Sequence, residues 1–148
     1  MDLERLKADL RRDEGLRLLA YKCPAGVWTI GYGHTGHEVL EGMAIDHDLA
    51  ETYLARDIAG VFHDLDRNVP WWRDMPEPAA RGLCNMGFNL GWTRLSGFKM
   101  MLHALEAGAW ETAAREGIHS KWAEQVGARA TRIAELYREA GGGRQEQS

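Results

Sequence analysis

Glu14, Cys23 and Thr29 stand in one short stretch, with eight residues between the first two and five between the last two. A carboxylic acid can hand a proton to a departing oxygen, and a second group can activate water or meet the electron-poor centre left behind. Hydrolysis of a glycosidic bond sets this pair of tasks. Glu14 suits the first task, and Cys23 with Thr29 are candidates for the second. A thiol of ordinary pKa about 8.5 is mostly neutral at pH 7, where an aspartate of pKa about 3.9 would be ionised, so the second role has to be argued for a thiol. Two other chemistries draw on the same residues. A cysteine-dependent peptidase would use Cys23 as nucleophile and His34 or His37 as base, leaving Glu14 without work. A metal site could use Cys23, His34, His37 and His47, but their spacing matches neither HExxH nor paired CxxC, and no metal is expected.

These residues need elements to hold them. Leu3, Leu6 and Leu10 recur at helical spacing in a polar background, which predicts a first helix ending near Asp13 to Gly15 and puts Glu14 at its C-terminus. From Leu16 to His34, Pro24, Gly26, Gly31 and Gly33 punctuate β-branched and aromatic residues, the pattern of a small hairpin or meander. From Asp46, a plausible N-cap, an apolar stripe of Leu49, Tyr53, Ile58, Phe62 and Leu65 predicts a long helix through residue 66 that links two lobes. Pro70, Pro76 and Pro78 interrupt it, and Ala79 to Leu90, Phe98 to Leu105, Trp110 to Ile118 and Ala128 to Ala140 read as further helices. The expected fold class is α+β, mainly α: a single domain over residues 1–141. Its small β-hairpin lobe covers about residues 14–45 and its larger helical lobe about 70–141, with the first helix packed on the latter. Residues 142–148 are expected to form a disordered tail. A cleft between lobes is where a site is expected.

Bulk properties narrow the function. The 148 residues are 45% hydrophobic and 27% charged, the balance of an ordinary globular domain. The net charge is −4; residues 1–60 hold 11 acids against 7 bases and residues 61–148 hold 11 of each, so the basic stripe of a nucleic-acid binder is missing. The N-terminal stretch MDLERLKADLRRDEG has no apolar run, which predicts a cytoplasmic product without a signal peptide and without stable membrane insertion. Two cysteines are too few for a disulfide framework, and both are read as free thiols, Cys84 in the core. No cofactor is implied.

The stretch EGLRLLAYKCPAGVWTIGYGHT, residues 14 to 35, resembles the catalytic segment of phage-type lysozymes of glycoside hydrolase family 24. Similarity continues through LCNMGFNLGWTRLSGFKMMLHALEAGAW and SKWAEQVGARATRIAELY. In that family a Glu, an Asp or Cys, and a Thr at this spacing form the catalytic triad, matched here by Glu14, Cys23 and Thr29. The resemblance implies a two-lobed lysozyme-like fold and hydrolysis of the β-1,4 bond between N-acetylmuramic acid and N-acetylglucosamine in peptidoglycan. The missing export signal predicts an enzyme that waits in the host cytoplasm until a holin opens the inner membrane and then acts in the periplasm, and a monomer is expected. The resemblance also assigns Asn85 to a cleft-facing position and Arg129 to orienting the catalytic glutamate. Gly33 is read as a backbone requirement, and His34 as a support that bonds a backbone carbonyl or lines the cleft. Most of the six tryptophans are expected in the core, although open indole faces also stack on sugar rings. A peptidoglycan-binding module of the same fold, lacking turnover, is the non-enzymatic alternative.

Overall fold

The computed structural model describes residues 1–142. It divides into two compact units, Leu3–Gly60 and a second one made of Met1–Asp2 with the chain from Val61 onward. The expected tail lies outside the described residues, except that Gly142 ends a turn.

The first unit opens with α1 (Leu3–Glu14), whose Leu6 and Leu10 are buried while Leu3 stays exposed. Gly15 stops the helix: at φ +72° its N–H donates to the Arg11 carbonyl at 3.0 Å, a left-handed cap that a side chain would strain. Three antiparallel strands follow, β1 (Arg17–Lys22), β2 (Trp28–Gly31) and β3 (His34–Thr35), paired in sequence order. Over Arg17–Ala20 β1 alternates between exposed and half-buried residues, as expected of a sheet with one solvated face, and its other edge is bridged by Ala44 opposite Leu19. Ile30, Val39 and Tyr53 form the unit's buried cluster, with Ala20, Trp28, Met43, Ile45 and Leu49 packed around it.

α2 (His47–Asn68) starts in this unit. Asp46 caps it as expected, accepting the Leu49 N–H at 2.8 Å on Oδ1. Tyr53, Ile58 and Leu65 of the anticipated stripe are buried, and Leu54 joins them.

The second unit holds a short 3₁₀ turn (Trp72–Asp74), then α3 (Glu77–Leu95), α4 (Lys99–Ala107), α5 (Trp110–Ile118), α6 (Lys121–Val126) and α7 (Ala128–Ala140). Pro78 sits in the first turn of α3, where its missing N–H costs nothing, and Gly91 breaks the helix near its end with φ +76° and ψ 160°. α7 packs on α3 and α5, and α4 on α5. Gly82 allows the close approach of α3 to α7, because a Cβ there would stand 3.0 Å from the Tyr137 ring. Tyr137 is fully buried and its hydroxyl reaches Met86 Sδ at 3.6 Å. Burial of apolar side chains along these faces is the main stabilising contribution. The chain is α+β and mainly helical, with all its strands between Arg17 and Thr35 among the described residues. Of the tryptophans, Trp72 and Trp122 are buried and the other four are half-buried, so fewer belong to the core than the composition led us to expect.

Candidate active site

Glu14 is the last residue of α1, half-buried, with its carboxyl group seated on the β2–β3 turn at Gly33. Gly33 has φ +76°, and a Cβ at that position would overlap Glu14 Oε1 and stand 3.0 Å from its carboxyl carbon. Glycine is therefore required twice, by the backbone and by the carboxyl group that rests on it. The end of α1 is fixed by a fork: Arg11 Nε and Nη2 donate to the two carboxylate oxygens of Glu51 on α2 at 2.9 and 2.6 Å. This bidentate geometry holds Glu51 below the usual carboxylate range. Tyr32, in the same turn as Gly33, lies beside the pair, and burial pushes its hydroxyl up.

Cys23 begins the turn at the opposite end of β2. Its N–H donates to the Val27 carbonyl at 3.0 Å and its carbonyl accepts the Gly26 N–H at 2.8 Å, which closes a tight loop around the half-buried thiol. The Val27 backbone N–H draws the thiol below its ordinary pKa. Partial burial opposes that, and the Ala25 backbone and the Thr29 hydroxyl add to the lowering. Thr29 is buried in the middle of the sheet, opposite Tyr21 on β1 and Thr35 on β3, and its hydroxyl donates to the Val27 carbonyl at 3.0 Å. The sheet thus joins Thr29 to Cys23 at one end of β2 and supports Glu14 at the other.

His34 follows Gly33 at the start of β3 and is buried. Where the sequence offered either a backbone carbonyl or a place lining the cleft, its ring nitrogens meet carboxylates: Nδ1 lies 2.8 Å from Asp57 Oδ2 and Nε2 lies 2.6 Å from Glu38 Oε2. The ring stacks on Tyr53 at 4.0 Å. Burial pushes the Asp57 carboxyl up, against the pull of His34, whereas Glu38 is held low by its own backbone N–H and then by His34. His34 so ties β3 to α2 and to the loop that follows it. Asp57, Glu38, Glu51 and Arg11 were not singled out from the sequence. The available signal was Asp57 itself, an acid one helical turn after Tyr53 on a stripe that otherwise reads as apolar.

In the second unit Asn85 and Arg129 meet. Both are buried, and Arg129 Nε donates to Asn85 Oδ1 at 2.9 Å from α7 to α3. This bond offsets part of the desolvation that each buried group would otherwise suffer. Among the described residues no group of three or more His, Cys, Asp and Glu side chains could hold a metal ion.

The profile of the family described as Phage lysozyme matches residues 11–139, a span that contains Glu14, Cys23, Thr29, Asn85 and Arg129. The chain belongs to the phage lysozyme family. It is 36% identical over 115 residues to an endolysin of Acyrthosiphon pisum secondary endosymbiont phage 1, covering 78% of this chain and 75% of that protein. It is 33% identical over 94 residues to the endolysin of Salmonella phage P22, covering 60% of this chain and 62% of the other. It is also 32% identical to the pre-baseplate central spike protein Gp5 of Enterobacteria phage T4, over 84% of this chain and 26% of the spike protein. This lysozyme is an endolysin-type hydrolase of peptidoglycan with the α+β fold of its family. Among the described residues, no helix of the enzyme is long and apolar enough to cross a membrane.

Proposed function

We propose that this lysozyme hydrolyses the β-1,4 bond between N-acetylmuramic acid and N-acetylglucosamine, with Glu14 as general acid and Cys23 and Thr29 as the groups that position or activate water. The observation that carries the reading is a carboxyl group seated on the Gly33 turn at one end of β2 and, at the other end, a thiol that its turn draws below the ordinary pKa. Glu14 gives its proton to the departing 4-oxygen. Water, held by the Thr29 hydroxyl and by Cys23 in its thiolate form, adds to the anomeric carbon and passes its proton to the sulfur. This scheme inverts configuration, since water enters opposite the departing oxygen. A covalent glycosyl intermediate on Cys23 would give net retention instead. Proton NMR of the first-formed product separates the two: the inverting scheme requires the α anomer, and an initial β anomer overturns it.

Arg129 and Asn85 are proposed to support Glu14 without touching the bond that breaks. Arg129→Ala should then alter the pH–rate profile while Arg129→Lys partly restores it; a profile superimposable on the parent's would remove Arg129 from the scheme. Gly33 and His34 are proposed as positioning residues for the same sheet. The proposed route to the wall is release from the host cytoplasm through a holin-made opening, and the proposed working form is a monomer. Expression with and without a holin gene, scored by culture turbidity, tests the first, and sedimentation equilibrium tests the second.

A further inference from the structure

Two tryptophans that stand side by side in the sequence have opposite surroundings. Trp72 is fully buried, stacks on Phe62 at 5.4 Å and donates its indole N–H to Asp66 Oδ1 at 2.8 Å. Trp71 is only half-buried and has no side-chain hydrogen bond or ring contact among the described residues. It lines a groove of about 250 Å³ in the second unit, with Trp110 as another wall, Met75 and Leu105 lining it and Asp74 and Glu106 on its rim. Trp110 is likewise half-buried and without a hydrogen-bond partner for its indole among the described residues, and Gly141 packs close beside it: a Cβ there would stand 3.1 Å from its Cδ1. Gly108, with φ +74°, turns the chain sharply between α4 and α5 beside it.

The rim carboxylates are as idle as the indoles. In the same unit Asp66 is paired with Arg73, Glu77 with Arg81, and Glu111 and Glu135 with Arg138. Asp74 and Glu106 have no such partner among the described residues, and the lining contains no Lys, Arg or His. Open indole faces stack on the C–H faces of a pyranose ring, and carboxylates accept hydrogen bonds from hydroxyl and amide N–H groups. The volume is below the roughly 300–1,000 Å³ of pockets that engulf drug-sized ligands, so the groove suits one ring of a longer strand.

We propose that this groove is a second glycan-binding site, distinct from the residues assigned to catalysis, that takes an uncharged N-acetylglucosamine unit. The proposal rests on the reading that this lysozyme acts on peptidoglycan glycan strands. Charge decides between the two sugars: unneutralised Asp74 and Glu106 disfavour the lactyl carboxylate of N-acetylmuramic acid and the carboxylates of stem peptides, and tolerate the neutral sugar. Its use is attachment. A second contact on the same insoluble polymer keeps the enzyme at a high effective concentration of bonds to cut, without changing the bond-breaking step.

The test uses the full chain carrying Glu14→Gln, so that sugar is not consumed, with ¹⁵N labelling to follow the six indole N–H signals. Trp71→Phe and Trp110→Phe assign two of them. Titration with tri-N-acetylchitotriose should move the Trp71 and Trp110 signals saturably, and N-acetylmuramic acid should move them far less. Asp74→Asn and Glu106→Gln, exposed substitutions that leave the core untouched, should each weaken the response roughly two- to tenfold. Sacculi should also retain Trp71→Ala protein less well than protein with Trp71. Signals from Trp71 and Trp110 that stay still with chitotriose overturn the proposal, and so do signals that move with tetramethylammonium and not with sugar, which would make the groove a cation site. If chitotriose moves both signals while the unsubstituted enzyme releases no reducing sugar from sacculi, the second site stands and the catalytic reading falls.

Discussion

Cys23 and Cys84 report oppositely on the two units. In the small β unit the Cys23 thiol sits in a turn whose amides face the sulfur and draw its pKa down; in the helical unit burial pushes the Cys84 thiol up to about 12. The same side chain has its thiol drawn toward ionisation in one place and is a small buried hydrophobe in the other. The contrast extends to buried polar groups. Those of the β unit, Thr29 and His34, are engaged beside Cys23 and the Gly33 turn, whereas Asn85 and Arg129 of the helical unit bond each other across two packed helices. The sheet carries the candidate catalytic groups, and the helices supply most of the apolar core.

The largest expected effect is in alkylation. Iodoacetamide on the native enzyme at neutral pH should label Cys23 at least roughly a thousandfold faster than Cys84, because a thiol near pKa 12 supplies almost no thiolate. Peptide mass spectrometry reads both sites. The rate at Cys23 should also rise with pH to a midpoint below that of an ordinary thiol, since its folded-state value is lowered. Next comes the helical core: Trp72→Ala, which removes a fully buried ring and leaves Asp66 without that donor, should lower unfolding free energy by about 3–5 kcal/mol in urea melts. Gly33→Ala, on the β side, should lose about 1–3 kcal/mol from its left-handed backbone alone and lose further activity by displacing Glu14. Thermal melts and turnover measured together would separate those parts.

The smallest effect concerns Arg11 and Glu51. The Glu51 carboxylate is held below its ordinary range, so its contribution is complete above the unfolded value of about 4.3 and disappears as pH falls through the lowered folded value. Both side chains are more than a third exposed, which keeps the contribution under about 1 kcal/mol. Glu51→Gln should therefore be slightly less stable than the parent at pH 6 and indistinguishable from it in strong acid.

Much of this was legible in the sequence. α5 and α7 begin and end at the residues that their periodicity predicted, because each carries an unbroken apolar stripe bounded by a turn signal. α6 was missed: six residues with Trp122 as the buried anchor are too short to show a period, and its Ser120 cap is legible only once the helix is known. The positions of Glu14, Cys23 and Thr29 were visible through their spacing, but Gly33 as the seat of the Glu14 carboxyl was not, since that contact joins residues 19 apart through the turn of a sheet. The two carboxylates flanking His34 were hidden for a similar reason. Asp57 lies 23 residues away on α2, and local pattern says nothing of which carboxylate a histidine meets.

The central claim is that a carboxylic acid at position 14 breaks a glycosidic bond while the thiol at position 23 serves water. Reducing-sugar release from purified sacculi, with mass spectra of the products, tests it most directly in the parent, Glu14→Gln and Cys23→Asp enzymes. The account predicts cut glycans from the parent, a loss of roughly a hundredfold or more in Glu14→Gln with the fold intact, and retained turnover in Cys23→Asp. Near-parental release by Glu14→Gln, or products cut in the peptide and abolished by Cys23→Asp, would contradict it.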